Sequence, residues 1–142
     1  MARAEEIHAM STPRAALERF FPAMFADDRA VLQELLSEDV EWHAPPFAAR
    51  SFGELRGADR VLDFLCGAGD AFYQPGSFEM EIELQAVEDD RAIVIAWLRA
   101  RTASGEPYSN RYAFGFRFRE GRICEVWELM DSVHFQKQMP AG

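Results

Sequence analysis

The second half of the chain alternates apolar and polar residues over long stretches, and this alternation constrains the fold more than any other feature of the sequence. In "SFEMEIELQAV" (77–87), the apolar residues expected to point inward are Met80, Ile82, Leu84 and Ala86. Because successive side chains of a strand point to opposite faces, this pattern predicts a strand with one buried face and one wet face. "YSNRYAFGFRF" (108–118) repeats the pattern, whereas "AIVIAWLRART" (92–102) is apolar on both faces and is predicted to lie deeper in the sheet.

The first half of the chain has the spacing of three helices. Thr12 can cap the first helix, and Pro13 suits its first position. "DDRAVLQELLSED" predicts a second, short helix that Asp27 or Asp28 caps. A third helix is predicted to begin near Ala58.

Together these elements predict an α+β roll, in which three helices pack on one face of a curved, mostly antiparallel sheet. Such a sheet and its helices enclose a cone-shaped pocket, which Phe, Trp and Met side chains would make apolar. We expect one domain over residues 12–135, a flexible N-terminal arm at residues 1–11 and a C-terminal tail at residues 136–142.

The composition excludes several classes of partner. The chain has 142 residues and a formal net charge of −9, and its Lys and Arg residues form no cluster. Such a chain repels phosphate backbones and anionic lipids, so we expect no nucleic acid and no membrane as partner, and a small hydrophobic molecule instead. Cys66 and Cys124 have no metal-ligand spacing, so no metal site is expected. The first ten residues lack the apolar core of a signal peptide, which favours a cytoplasmic location.

The stretch "GRICEVWELMDS" (121–132) places an acid in the middle of an apolar strand. Glu128 stands between Val126 and Met130 on the expected inner face. An unpaired, ionised carboxylate in such surroundings would cost several kcal/mol. Glu128 is therefore expected to face water, to pair with a cation, or to lie in a cavity as an acid with a raised pKa.

Two segments, "EDVEWHAPP" (38–46) and "GRICEVWELMD" (121–131), resemble the first and the closing strand of the SnoaL-like branch of the nuclear transport factor 2-like (NTF2-like) superfamily. That superfamily includes polyketide cyclases, ketosteroid isomerase, limonene-epoxide hydrolase and scytalone dehydratase. The element order is similar over roughly residues 12–133. The resemblance implies the cone-shaped α+β fold and no cofactor, and it puts Glu128 where cyclases and limonene-epoxide hydrolase keep a catalytic Asp.

The sequence leaves more than one role open for the residues that could assist Glu128. The His that cyclases carry two residues before the acid is Val126 here. His43 on the first strand could replace it as a hydrogen-bonding partner, or it could lie exposed at the strand end. Tyr112 could donate a phenol hydrogen bond to a ligand, or it could be a core residue with its hydroxyl group satisfied.

Trp97 and Arg99 stand near the place where the hydrolase relatives keep an Arg and an Asp. Arg99 could pair with Glu128, which would lower the pKa of the acid. The candidate catalytic residues are thus Glu128, His43 and Tyr112. The candidate substrate-binding residues are Phe20, Trp97, Arg99, Asn110, Phe114, Val126 and Met130.

Two classes of function are consistent with these residues. The first is a cofactor-independent enzyme of the SnoaL-like type that acts on a small hydrophobic ring-containing substrate by general acid/base catalysis, through isomerisation, cyclisation, dehydration or epoxide opening. The second is a non-catalytic ligand-binding or dimerisation module. Under either class the resemblance implies a homodimer formed through the outer face of the sheet, where Trp127 and Leu129 would otherwise be exposed.

Overall fold

One curved sheet of six strands organises the structure, a computed structural model that describes residues 12–46, 48, 53–67 and 72–138. In chain order the strands are β1 (Leu36–His43), β2 (Leu55–Arg56), β3 (Glu79–Glu88), β4 (Arg91–Arg101), β5 (Pro107–Arg119) and β6 (Arg122–Met130). Their spatial order is β2-β1-β6-β5-β4-β3. Only β1 and β6 pair in parallel among the described strands, so the predicted mostly antiparallel α+β roll is confirmed.

Of the helices whose bounds lie within the described residues, three precede β3, as predicted, and one follows β6. The helices are α1 (Pro13–Phe25), α2 (Arg29–Leu35), α3 (Ala58–Leu65) and α4 (Ser132–Gln138). The Thr12 hydroxyl group accepts the Ala15 N–H at 3.2 Å, and the Asp28 carboxylate accepts the Val31 N–H at 3.2 Å. These contacts satisfy N–H groups that the first turn of a helix leaves without a backbone partner. None of the described helices combines the length and apolar character that a membrane span requires.

The helix α4 lies where the sequence predicted the start of a C-terminal tail. The Asp131 carboxylate accepts the His134 N–H at 2.9 Å and so caps this helix. Phe135 is buried against Phe72 and Tyr108, with ring centroids 5.7 and 5.9 Å apart. The boundary predicted at residue 135 therefore falls inside a helix, because a single apolar anchor gives too short a pattern to recognise. The predicted N-terminal arm lies outside the described residues.

The hydrophobic core lies between α1 and the inner face of the sheet. The rings of Phe20 and Phe21 meet the ring of Phe116 edge-on, at centroid distances of 5.7 and 5.9 Å. The inward residues of β5 are buried, as their alternation predicted, and comprise Tyr108, Tyr112, Phe114, Phe116 and Phe118. The inner face of β5 thus forms the surface against which α1 packs.

The orientation predicted for the second half of β3 is wrong. Ile82 pairs with Ala96 and the next aligned pair is Leu84 with Ile95, so the register shifts at a bulge between them. A bulge adds one residue to one strand and reverses the alternation beyond it. Leu84 consequently points outward and is 55% exposed, whereas Gln85 lies on the inner side.

The two-sided burial predicted for β4 is also wrong. Ile93 is 54% exposed on the outer face, while its neighbours Ala92 and Val94 are buried. The described helices cover the inner face, so the apolar outer residues of β4 have no cover within the described part of this chain. Apolar residues on both faces of β4 therefore do not mean that both faces of this strand are buried within the described part of the chain.

Candidate active site

A cavity of about 170 Å³ lies between the inner face of the sheet and the helices. Its aromatic lining comprises Phe25, Trp42, Phe64, Phe72, Tyr73, Phe78, Tyr112, Phe114 and Phe135. Met24 and Met130 add flexible apolar side chains, and Glu128 and Asp27 add carboxylates. An apolar cavity with a few polar groups is the usual form of a small-molecule site.

Glu128 lies on the inner face of β6 and reaches this cavity. Burial raises the pKa of Glu128 to about 7, although a hydrogen bond from Trp42 acts in the opposite direction. At neutral pH the carboxyl group is therefore divided between its protonated and ionised forms. Such a group can remove a proton from a substrate and return it, which is the requirement for general acid/base catalysis.

Trp42 is the hydrogen-bonding partner of Glu128. Its indole Nε1–H donates to Glu128 Oε1 at 3.0 Å. The indole is buried and lies between the rings of Phe20 and Phe64, with both centroids 6.1 Å away. Trp42 was not among the site residues predicted from the sequence. The signal that could have identified it is the apolar pair Val40 and Trp42, which alternation places together on the buried face of β1.

Tyrosine hydroxyl groups form a second polar feature beside the cavity. The hydroxyl groups of Tyr108 and Tyr112 are 2.7 Å apart, and the ring of Tyr73 lies 5.4 Å from that of Tyr108. Burial raises the pKa of both Tyr73 and Tyr112, and the nearby Glu128 charge contributes in the same direction. Both phenols remain protonated at neutral pH, and both line the cavity, so each can donate a hydrogen bond to a ligand.

Asn110 lies behind this cluster and does not reach the cavity lining. Its side-chain Nδ2–H donates to the Asp131 carbonyl oxygen at 3.0 Å, and its Oδ1 accepts the Arg111 N–H at 2.9 Å. Asn110 is buried, its amide group bonds to the backbone in these two contacts, and it is not among the residues that line the cavity, which corrects its predicted place in the substrate site.

His43 does not lie beside Glu128, so the first of its two predicted alternatives is wrong, and it lies at the end of β1 with its side chain 39% exposed. Because Val40 and Trp42 occupy the buried face of β1, alternation turns His43 to the outer face. There its ring stacks on Trp127 at a centroid distance of 5.3 Å, and its Nε2 lies 2.8 Å from Glu125 Oε2.

A group of possible metal ligands surrounds His43 on this outer face. Within the described part of the chain, Glu41, His43 and Glu125 are the residues that offer ligand atoms within 4.8 Å of one another. Each carboxylate also pairs with an arginine, Glu41 with Arg56 at 3.2 Å and Glu125 with Arg117 at 3.5 Å. These ion pairs explain why the three side chains lie close together, and no metal ion is needed to explain it.

Trp97 and Arg99 also lie on the outer face, which corrects their predicted place in the substrate site. Arg99 pairs with Glu81 at 3.2 Å, and Arg111 covers the Trp97 ring at 4.8 Å from its centroid. The strand pattern of β4 caused the error, because apolar residues on both faces do not show which face is buried. Arg99 thus cannot pair with Glu128 through the sheet.

The remaining predicted substrate residues divide into two groups. Phe114 and Met130 line the cavity together with Tyr112 and Glu128. Phe20 and Val126 are fully buried in the core and are not among the residues that line the cavity. Their burial leaves no surface for a ligand, so the prediction for these two residues is corrected.

Comparison with known proteins agrees with this architecture. A family model described as "SnoaL-like domain" matches residues 17–126. Among curated proteins, no sequence match was found. An NTF2-like protein of unknown function from Burkholderia pseudomallei K96243 is 19% identical with a TM-score of 0.74, over 90% of this chain and 97% of that one.

Two further solved structures are similar over most of the chain. A protein from Jannaschia sp. CCS1, provisionally named a SnoaL-like polyketide cyclase, is 17% identical with a TM-score of 0.74, over 100% of this chain and 99% of that one. A protein from Rhodopseudomonas palustris, provisionally named an isomerase, is 21% identical with a TM-score of 0.75, over 89% of this chain and 97% of that one. At these identities the likeness shows the fold, which is NTF2-like.

Proposed function

Because the chain belongs to the SnoaL-like domain family, we propose that it is an enzyme that moves a proton on a small ring-containing substrate, with Glu128 as the general acid/base. The observation that carries this proposal is the position of Glu128 in an aromatic cavity, where burial brings its pKa to about 7. A catalytic base works best when its pKa lies near the operating pH.

The reaction best supported is proton transfer at a carbon next to a carbonyl group. Such a reaction needs one base for the carbon-bound proton and one donor for the oxygen that gains negative charge. Glu128 supplies the base, and the Tyr112 hydroxyl group, which stays protonated, supplies the donor. Trp42 would act as a positioning residue, because its N–H fixes one oxygen of the Glu128 carboxylate. Isomerisation follows when the proton returns at a different carbon.

Deuterium exchange tests this proposal without knowledge of the natural substrate. Single-ring ketones such as cyclohexanone and 2-cyclohexenone are incubated with the protein in D₂O, and loss of the α-proton signal is followed by NMR. We expect exchange above the buffer rate, increasing with pH through about 7 as Glu128 ionises. Glu128→Gln should remove at least about 99% of this rate, because general base catalysis typically contributes a factor of 10²–10⁴.

The matched control is Glu125→Gln, which changes an acid on the outer face of the same strand. This variant should exchange at the wild-type rate. Equal rates in the wild type and in Glu128→Gln, or no exchange with any of the ketones, would contradict the proposed chemistry.

A second candidate function is a non-catalytic ligand-binding module. The observation that favours it is that no described residue places an imidazole beside Glu128, since Val126 holds the cyclase His position and His43 lies on the other face. A binding module would bind single-ring ketones without exchanging their α-protons. The same NMR samples distinguish the two functions, because ligand line broadening reports binding and signal loss reports exchange.

We also propose that the chain forms a homodimer through the outer face of the sheet. Three large apolar residues there are Leu84, Ile93 and Leu129, which are 55%, 54% and 64% exposed. A groove of about 510 Å³ runs beside them, over Gly115 and next to the Trp127 ring. A Cβ atom at Gly115 would come within 3.3 Å of that ring, so glycine keeps the groove open at this point. A second copy of the same face would cover these apolar side chains.

A further inference from the structure

The charged groups that the described residues place on the cavity lining are both acidic. Glu128 reaches the cavity from strand β6, and Asp27 reaches it from the turn between α1 and α2. A carboxylate on a ligand would therefore be repelled by the ionised form of Glu128 and would find no cation among the described lining residues, whereas an ammonium group would be attracted to that ionised form. Charge at close range in a water-poor site discriminates strongly between such ligands.

The rest of the lining also favours positive charge. Aromatic rings present a negative face, and a cation within about 6 Å of a ring centroid is attracted by roughly 0.5–2 kcal/mol, more strongly when water is excluded. The rings of Tyr73 and Tyr112 line the same space that Glu128 reaches. Aromatic rings combined with a carboxylate are the groups with which proteins bind organic ammonium ions.

The volume of the cavity limits the ligand to about one ring. A dry cavity of about 150 Å³ in another protein accommodates benzene. The present cavity encloses about 170 Å³, so it has room for one six-membered ring and a short substituent.

We propose that the cavity selects a single-ring compound that carries a protonated basic nitrogen, with the nitrogen directed toward the Glu128 carboxylate. This inference rests on the proposed function only for the role of the cavity as the ligand site, and it requires no reaction. The Glu128 carboxylate has acceptor capacity beyond the Trp42 contact, because a carboxylate offers about four lone-pair sites. An ammonium ion there would favour the ionised form of Glu128, which is the form a general base requires.

The test compares three probes of nearly equal size that differ in charge: benzylamine, benzyl alcohol and benzoate. Dissociation constants are measured by NMR titration at pH 7, with the Trp42 indole N–H signal as the local reporter, since this group contacts Glu128. The signal is assigned by its loss in Trp42→Phe. We expect benzylamine to bind at least about tenfold more tightly than benzyl alcohol, and benzoate to bind most weakly.

Glu128→Gln is the matched variant, because it keeps the shape of the side chain and removes its charge. It should reduce the preference for benzylamine over benzyl alcohol to about threefold or less, while benzyl alcohol binds as before. Asp27→Asn serves as a second variant if Glu128→Gln does not fold, because Asn tolerates the positive φ of 53° at this position. It should lower benzylamine affinity by a smaller factor and leave benzyl alcohol unchanged.

An equal or reversed order of the three probes overturns the proposal, and so does an absence of binding by all three. A preference that persists fully in Glu128→Gln and Asp27→Asn also overturns it. Failure of the exchange experiment alone does not, because a cavity that binds benzylamine selectively but exchanges no ketone protons would be an ammonium-binding module.

Discussion

Trp42 donates its indole N–H to the Glu128 carboxylate at 3.0 Å, and the two residues come from strands that pair in parallel. Removing the donor tests how strongly it holds the acid. In Trp42→Phe, we expect the pKa of Glu128 to rise from its value of about 7 by about one pH unit, because a hydrogen bond to a charged group contributes roughly 1.5–3 kcal/mol. Carbon-detected NMR of the Glu128 carboxyl signal measures the shift. The control is Trp97→Phe, which changes an indole on the outer face and should leave the titration unchanged.

Glu128 should make stability depend on pH in the direction opposite to most acids. Its folded-state pKa of about 7 lies above the ordinary value of 4.5, so the folded protein keeps a proton that the unfolded chain releases between these values. Its contribution is fully present below about pH 4.5 and is lost as the pH rises through about 7, by up to about 3 kcal/mol.

Glu128→Gln should therefore be more stable than the wild type at pH 8 and should lose this advantage at pH 4.5. Urea unfolding at both pH values measures the difference in the free energy of unfolding. The exposed acid Glu79, changed to Gln, should show no such pH-dependent gain. A constant difference between wild type and Glu128→Gln across this range would mean that the acid is not desolvated.

Phe135 tests whether α4 is part of the domain. The residue is 5% exposed and packs on Phe72 and Tyr108, so Phe135→Ala should destabilise the fold by about 3–4 kcal/mol. Val133 lies on the same helix at 59% exposure, and Val133→Ala should change stability by no more than about 0.5 kcal/mol. Thermal unfolding of the two variants measures both effects. Similar small effects would show that α4 contributes little to the fold.

Leu129 tests the proposed dimer. It is 64% exposed on the outer face of β6, and Leu129→Glu would place a charge in the proposed interface. We expect the wild type to sediment as a dimer and the variant as a monomer in analytical ultracentrifugation, since an unpaired charge in an apolar interface is strongly unfavourable. Val133→Glu, which adds the same charge on α4, should remain dimeric. A wild type that sediments as a monomer at micromolar concentration would rule out the proposal.

The sequence was sufficient for the fold and for the face of β6 on which Glu128 lies. The alternation of β5 placed Phe114 and Phe116 on the buried face, and the position of Glu128 between Val126 and Met130 placed it on the inner face, although exposure, pairing and a cavity all remained open for it. Both inferences depend on strands whose two faces differ sharply in polarity. For such strands, assigning one residue to the buried face determines the direction of every other side chain.

The partners of the acid could not be predicted for the same reason. Each face of β1 carries a residue that could take part in a site, Trp42 on one face and His43 on the other. If the predicted inner face of the strand is shifted by one residue, His43 and Trp42 exchange their places. The bulge of β3 and the outward direction of Trp97 depend on pairing between strands that are distant in the sequence. Only the register of the assembled sheet determines them.

The Trp42–Glu128 contact spans 86 positions of the chain, because it joins the first strand to the last. Contacts between such distant positions form late and slowly, since closing a long loop costs entropy before the contact is gained. During synthesis, α1, α2, α3 and β1 can form while the acid has not yet left the ribosome. The cavity is therefore completed only by the last strand, and a fragment that ends before β6 would contain most of the described cavity wall and lack Glu128.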